Sequence, residues 1–128
     1  MLYMDKQYLI DVAEANVKRA WARFAKHYPQ INAKPVPKVI LNNRLKTTAG
    51  RAFLDLHYID LSPELLWEHT QNFVEDTIPH EVGHLVAYIV HGDEGHGKGW
   101  KSVMAKAGYP ANRLHDMVNT VHAKRRAK

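Results

Sequence analysis

Cysteine is absent from all 128 residues, so neither a disulfide framework nor a thiolate metal site can form, and one argument for secretion falls away. Long apolar runs are absent too. The first stretch, MLYMDKQYLIDVAEANVKRAWARFAKHYP, is broken by Asp5, Lys6, Asp11 and Glu14, which excludes a signal-peptide core and a membrane span. The expected compartment is therefore the cytoplasm, with no membrane partner. No internal repeat or low-complexity linker interrupts the chain, and its length and 45% hydrophobic content suit one core rather than two. Acidic residues are the scarcer sign, 13 against 18 basic, leaving a formal charge of +5. Lys18, Arg19, Arg23 and Lys26 gather on the first segment, and Lys124, Arg125, Arg126 and Lys128 end the chain. A solvated helix face and a nucleic-acid contact are both open readings of that charge.

Against these absences stands one dense motif. Residues 80 to 84 read His-Glu-Val-Gly-His. On a helix of 3.6 residues per turn, His80 and His84 share a face and can reach one metal ion, while Glu81 lies within reach of water on that metal. Nine His and six Glu in the chain give a chance match odds on the order of a few per cent, so context has to add to the motif. Ile78, Val82, Leu85, Val86 and Ile89 form an apolar stripe at three- and four-residue steps, leaving the two His on a flank that can border a cleft. Pro79 fits the first turn, where amides lack intrahelical acceptors, with Asp76 or Thr77 as cap. If the helix begins earlier, near Asn72, Pro79 should bend it just before the site.

Catalytic zinc takes three protein ligands and keeps one position open, so a third ligand must come from elsewhere. His91 shares the helical face but lies about 16 Å from His80 at 1.5 Å per residue, too far to join the same sphere. It reads as a C-terminal helix residue suited to the dipole. His96 sits in HGDEGHGKGW, where glycines can end the helix and turn the loop back to the metal. It is the expected third ligand. Asp93, Glu94 and Asp116 are carboxylate alternatives that read better as solvated or supporting groups. The motif makes Glu81 the acceptor of a proton from water and its donor to the leaving amine. A second oxyanion donor is needed, and Tyr88, Tyr109 and His115 are candidates that spacing does not separate. Asp76, Glu94 and Asp116 are the candidates to take the free N–H of a ligating imidazole.

The run TIPHEVGHLVAYIVHGDEGHGKGWKSVM resembles the metal-binding core of SprT-like proteins, in which the His-Glu-x-x-His helix is followed by a loop with a third His beside a Gly and ahead of an aromatic residue. His96, Gly97 and Trp100 match that pattern, and RLKTTAGRA, residues 44 to 52, is similar to the segment preceding the site. The likeness covers roughly residues 1 to 115. It implies a zincin-like domain with His80, His84 and His96 on Zn2+, Glu81 as catalytic carboxylate, and a protein or peptide substrate. It also implies action on DNA-bound or DNA-crosslinked proteins, with DNA as a partner through the basic surface. The cysteine-built zinc ribbon common in bacterial SprT proteins has no counterpart here, so only the catalytic domain carries over. Two other readings stay open: a DNA-binding module with a structural zinc, and a repressor-cleaving zinc peptidase of another family, completed by a carboxylate.

The expected fold is α+β, one domain over residues 1–123 and a frayed basic tail over 124–128. Leu9, Val12, Ala13, Val17, Ala20, Trp21 and Phe24 predict a helix of about twenty residues ending at Tyr28-Pro29. KPVPKVILNNRL and TTAGRAFLDLHYIDL predict a small antiparallel sheet of about three strands, and Ser62-Pro63 starts a short helix. The strand near Phe53 to Leu61 is the expected substrate wall, with His57 a packing residue. Lys98 to Ala107 predicts a helix with Trp100, Val103, Met104 and Ala107 inward, stopped by Gly108 and Pro110. Asn112 to His122 is expected to add a turn or short helix. Tyr3, Tyr8 and Trp67 are aromatic residues that can stack on bases, though not interleaved with the basic ones.

Overall fold

Asp5 starts the first helix by accepting the Tyr8 backbone N–H on Oδ1 at 3.1 Å, and α1 (Lys6–Ala25) then buries Leu9, Ala13, Val17, Ala20, Trp21 and Phe24 on one stripe. The computed structural model describes residues 4–127, and for residues 124–127 the backbone alone. The helix ends three residues before Tyr28, and Pro29 opens a short 3-10 turn that seats Ile31 in the core.

Three strands follow: β1 (Lys38–Leu41), β2 (Gly50–Phe53) and β3 (Tyr58–Leu61). The α+β class and strand number are as expected. The pairing is mixed rather than antiparallel throughout, since β2 runs antiparallel to β3 while β1 runs parallel to it, in the order β1-β3-β2. The cause is the 42–49 loop, which carries the chain from β1 across two strand spacings before β2 returns. That leaves the central slot for β3, the most buried strand, whose Ile59 and Leu61 are fully buried. Asp60 is buried among them, where Arg51 on β2, its register partner, donates from Nε at 3.1 Å and Asn42 Nδ2 at 2.9 Å.

Ser62 Oγ caps α2 (Pro63–Glu68) by accepting Leu65 N–H at 3.2 Å. A near-continuous helical path comes next, through α3 (Thr70–Asn72), a π-turn at Phe73–Thr77, and α4 (Ile78–His91). Neither Asp76 nor Thr77 caps α4 with its side chain; the earlier start is the one found. Pro79 has no N–H to give and its ring crowds the carbonyl four residues back, and the wider π-turn just ahead relieves both.

Residues 78–87 of α4 are buried except His80, because α1, α5 and β2 pack around them. Gly92, at φ 68°, ends the helix in the left-handed region, and Gly108, at φ 78°, ends α5 (Lys98–Ala107) the same way. Side chains of α5 rest directly on the α4 backbone at Gly83, where a Cβ would collide with Met104 Sδ. All four expected core residues of α5 are buried. Arg23 does more than carry charge on the basic stripe: its Nε donates to the Ala107 carbonyl at 2.6 Å, finishing α5. His57 packs edge-on against Trp21 and bonds the Pro35 carbonyl at 2.7 Å, as a packing residue should.

Residues 109–119 then form an irregular strap, and α6 (Thr120–Ala127) begins later than expected and runs into the basic tail. The side chains of Lys124, Arg125 and Arg126 lie outside the described residues, as do Tyr3 and Lys128. No helix among the described residues is long and apolar enough to cross a membrane.

Candidate metal centre

One turn of α4 separates His80 from His84, and the 92–97 loop returns His96 to them. Their Nε2 atoms lie 3.2 Å (His80 to His84), 3.0 Å (His84 to His96) and 3.1 Å (His80 to His96) apart. These three residues form the cluster of potential metal ligands among the described residues, and no carboxylate joins it. His91, Asp93, Glu94 and Asp116 stand outside it; His91 closes α4 and packs edge-on to Tyr28.

The donor set fits a zinc ion. Zn–N bonds of 2.0–2.1 Å at tetrahedral angles put ligand nitrogens about 3.3 Å apart, close to the separations here. Hydrogen bonding points the same way. His80 Nδ1 faces the Asn112 carbonyl at 2.9 Å, so it must carry the proton, and Nε2 is left with a lone pair. The Gly95 backbone also lies against the His84 ring, where it favours a proton. Lone pairs converging without protons repel unless a cation lies between them.

Burial keeps these rings neutral. It lowers the His84 pKa to about 3, with His80 and His96 adding to the effect, and it lowers His80 and then His96 below the ordinary imidazole value. For His96, Arg113 is the second cause. Trp100, fully buried, lies under all three imidazoles; it stacks on His84 with planes 16° apart and points Nε1 at the His80 carbonyl at 3.3 Å. It serves the core and shields the cluster at once.

Glu81 projects beside the rings, its Oε2 3.8 Å from His80 Nε2. Glu81 is 7% exposed, and burial, with the Asp60 carboxylate behind it, pushes its pKa up to about 8. Asp60 was not legible as part of the site, although an Asp inside the apolar strand YIDL is an available signal. Gly50 brings β2 against Glu81: a Cβ there would stand 3.4 Å from Glu81 Cγ and 2.9 Å from both the Asp60 carbonyl and Leu61 Cδ2.

A cavity of about 380 Å³ opens over the cluster, between residues 47–50 on one wall and 112–115 on the other. The expected wall near Phe53 to Leu61 is therefore corrected. β3 is the central strand with both edges paired, and of the sheet's two outer edges the one beside the cavity belongs to β2 and the segment ahead of it. Ala49 accepts from Ser62 N–H at 2.8 Å, so strand alternation turns the Gly50 N–H and C=O outward to that edge.

The strap supplies contacts that sequence reasoning missed. Asn112 gives its carbonyl to His80 and its Nδ2 to Asp76 Oδ2 at 3.3 Å. Asp76 lines the cavity with Oδ1 buried and unbonded, lending negative potential to His80 without taking its proton. Of the residues offered as base-stacking, Tyr8 and Trp67 meet edge-on at 6.5 Å, away from the cavity.

Comparison with known proteins finds the SprT-like family over residues 17–122. Curated relatives called Protein SprT include one from Vibrio parahaemolyticus, 38% identical over 118 residues, covering 88% of this chain and 63% of that one. Another, from Escherichia fergusonii, is 36% identical over 109 residues, covering 83% and 66%. A third, from Salmonella arizonae, is 36% identical over 107 residues, covering 82% and 58%. The chain thus spans less than two thirds of each relative's length. No solved structure matches.

Proposed function

The chain belongs to the SprT-like family, and from that premise we propose that it is a zinc-dependent metallopeptidase whose ligands are His80, His84 and His96 and whose general base is Glu81. One observation carries the reading: three imidazole nitrogens converge within 3.0–3.2 Å of one another beside a buried carboxyl, at the floor of an open cavity. Zinc bound there supplies Lewis acidity, acidifying water and polarising the scissile carbonyl.

The chain's own residues do the rest. Asn112 and Gly95 hold the rings of His80 and His84 by backbone contacts, so both present Nε2. Glu81, beside His80 and facing the cavity, takes the proton of the attacking water and returns it to the leaving amine. The outward Gly50 backbone pairs with an extended peptide laid along the β2 edge. Trp100 closes the site from below against water.

The all-imidazole cluster favours this reading over a peptidase completed by a carboxylate. The open cavity and the adjacent Glu81 favour it over a purely structural zinc. DNA-bound proteins as substrates, and DNA as partner, belong to the same proposal, supported by the +5 charge and the exposed Lys18, Arg19 and Lys26 on α1.

The test incubates zinc-loaded protein with a DNA-binding protein, with and without single-stranded DNA, beside Glu81→Gln. Fragments from wild type and none from the variant support the proposal. Equal fragmentation, or none by wild type under either condition, contradicts it.

A further inference from the structure

A tetrahedral intermediate needs a hydrogen-bond donor besides the metal, and the three residues that sequence offered for it are otherwise engaged. Tyr88 donates its hydroxyl to Asp55 Oδ1 at 2.6 Å and does not line the cavity. Tyr109 packs 5.2 Å from Phe24 with the Arg23 guanidinium 4.1 Å over its ring, also away from the cavity. His115 does line it, but both its nitrogens are taken: Nε2 meets the Thr47 carbonyl at 2.7 Å and Nδ1 accepts from Met117 N–H at 3.1 Å. It is a latch, and no donor remains on it.

Arg113 is different. Among the described residues lining the cavity it is the one permanent cation, and no carboxylate or carbonyl there pairs with it. Its position is fixed from both sides, by Asn112 on His80 and Asp76 and by His115 on Thr47. An unpaired guanidinium beside a site built for a divalent cation is complementary to an anion, and the anion this reaction develops is the oxygen of the attacked carbonyl.

We infer that Arg113 is a catalytic residue, donating from its guanidinium to the oxyanion as it forms. This rests on the metallopeptidase reading, and the two can fail separately. Loss of one oxyanion donor costs roughly 100- to 1000-fold in turnover.

The experiment compares zinc-loaded wild type, Arg113→Ala and Arg113→Lys on an unfolded casein substrate, and measures by calorimetry their binding of a phosphinic peptide, whose tetrahedral anion imitates the intermediate. Arg113→Ala should lose roughly 100- to 1000-fold in kcat with KM little changed and zinc content equal, while Arg113→Lys recovers part. Phosphinic peptide affinity should fall in step. A kcat within threefold of wild type, a change confined to KM, or undiminished phosphinate binding overturns the inference. If wild type cleaves nothing, the peptidase reading fails on its own, and phosphinate affinity still decides the role of Arg113.

Discussion

Asp93 accepts the backbone N–H of Trp100 on Oδ2 at 2.9 Å, and with Oδ1 it takes the N–H of Gly95 at 2.8 Å, so one carboxylate ties both ends of the loop that carries His96. Gly99 lets the carboxylate so close: a Cβ there would stand 2.8 Å from Asp93 Cβ. Loss of these bonds should free His96 more than it disturbs the core. Asp93→Ala is expected to weaken zinc binding about 10- to 100-fold, with Asp93→Asn in between. Competition against a chelator of known affinity measures it.

Gly50→Ala should damage both fold and chemistry. The added methyl meets the Asp60 carbonyl and Leu61 Cδ2 at 2.9 Å, and the carbonyl cannot withdraw without moving the central strand. A cost of about 1–3 kcal/mol is expected in urea unfolding. Activity should fall further than stability alone dictates, because a shift of β2 to relieve the carbonyl moves the backbone that packs on Glu81.

In the metal-free protein the site groups oppose one another with pH. Lowered pKa values for His84, His80 and His96 mean that the unfolded chain binds protons the folded one refuses, so stability falls as pH drops below about 6.5. The Glu81 pKa is raised from 4.5 to about 8, so its contribution is full below 4.5 and is lost as pH rises to 8. Urea midpoints of wild type should therefore decline between pH 6.5 and 8. Glu81→Gln should remove that decline and keep the acid-side loss.

Zinc binding should release a proton from Glu81 rather than from the ligands. At pH 7 the three rings are already neutral and the carboxyl is largely protonated, and a divalent neighbour strips that proton. Calorimetry in buffers of differing ionisation enthalpy should find about one more proton released by wild type than by Glu81→Gln. Equal release contradicts the protonated carboxyl.

What could be read from the sequence was local. His80, Glu81 and His84 are fixed by helical periodicity, Gly92 and Gly97 mark the loop that returns His96, and α5 is bracketed by composition alone. The strap could not be read, since Asn112 reaches His80 across 32 residues of chain and His115 reaches Thr47 across 68. Strand order escaped for the same reason: composition marks β3 as a strand, but nothing local says that both its faces are buried or that β1 arrives parallel to it. Arg113, which looks like an ordinary surface cation in sequence, is notable only because the strap sets it in the cavity.

X-ray absorption at the zinc edge of protein loaded with one equivalent of zinc addresses the centre of the proposal, with His96→Ala beside wild type. Three imidazole nitrogens and one light-atom ligand at about 2.0–2.1 Å are expected in wild type, and two imidazoles with weakened retention in the variant. A carboxylate among the wild-type ligands, or an unchanged spectrum in His96→Ala, would contradict it.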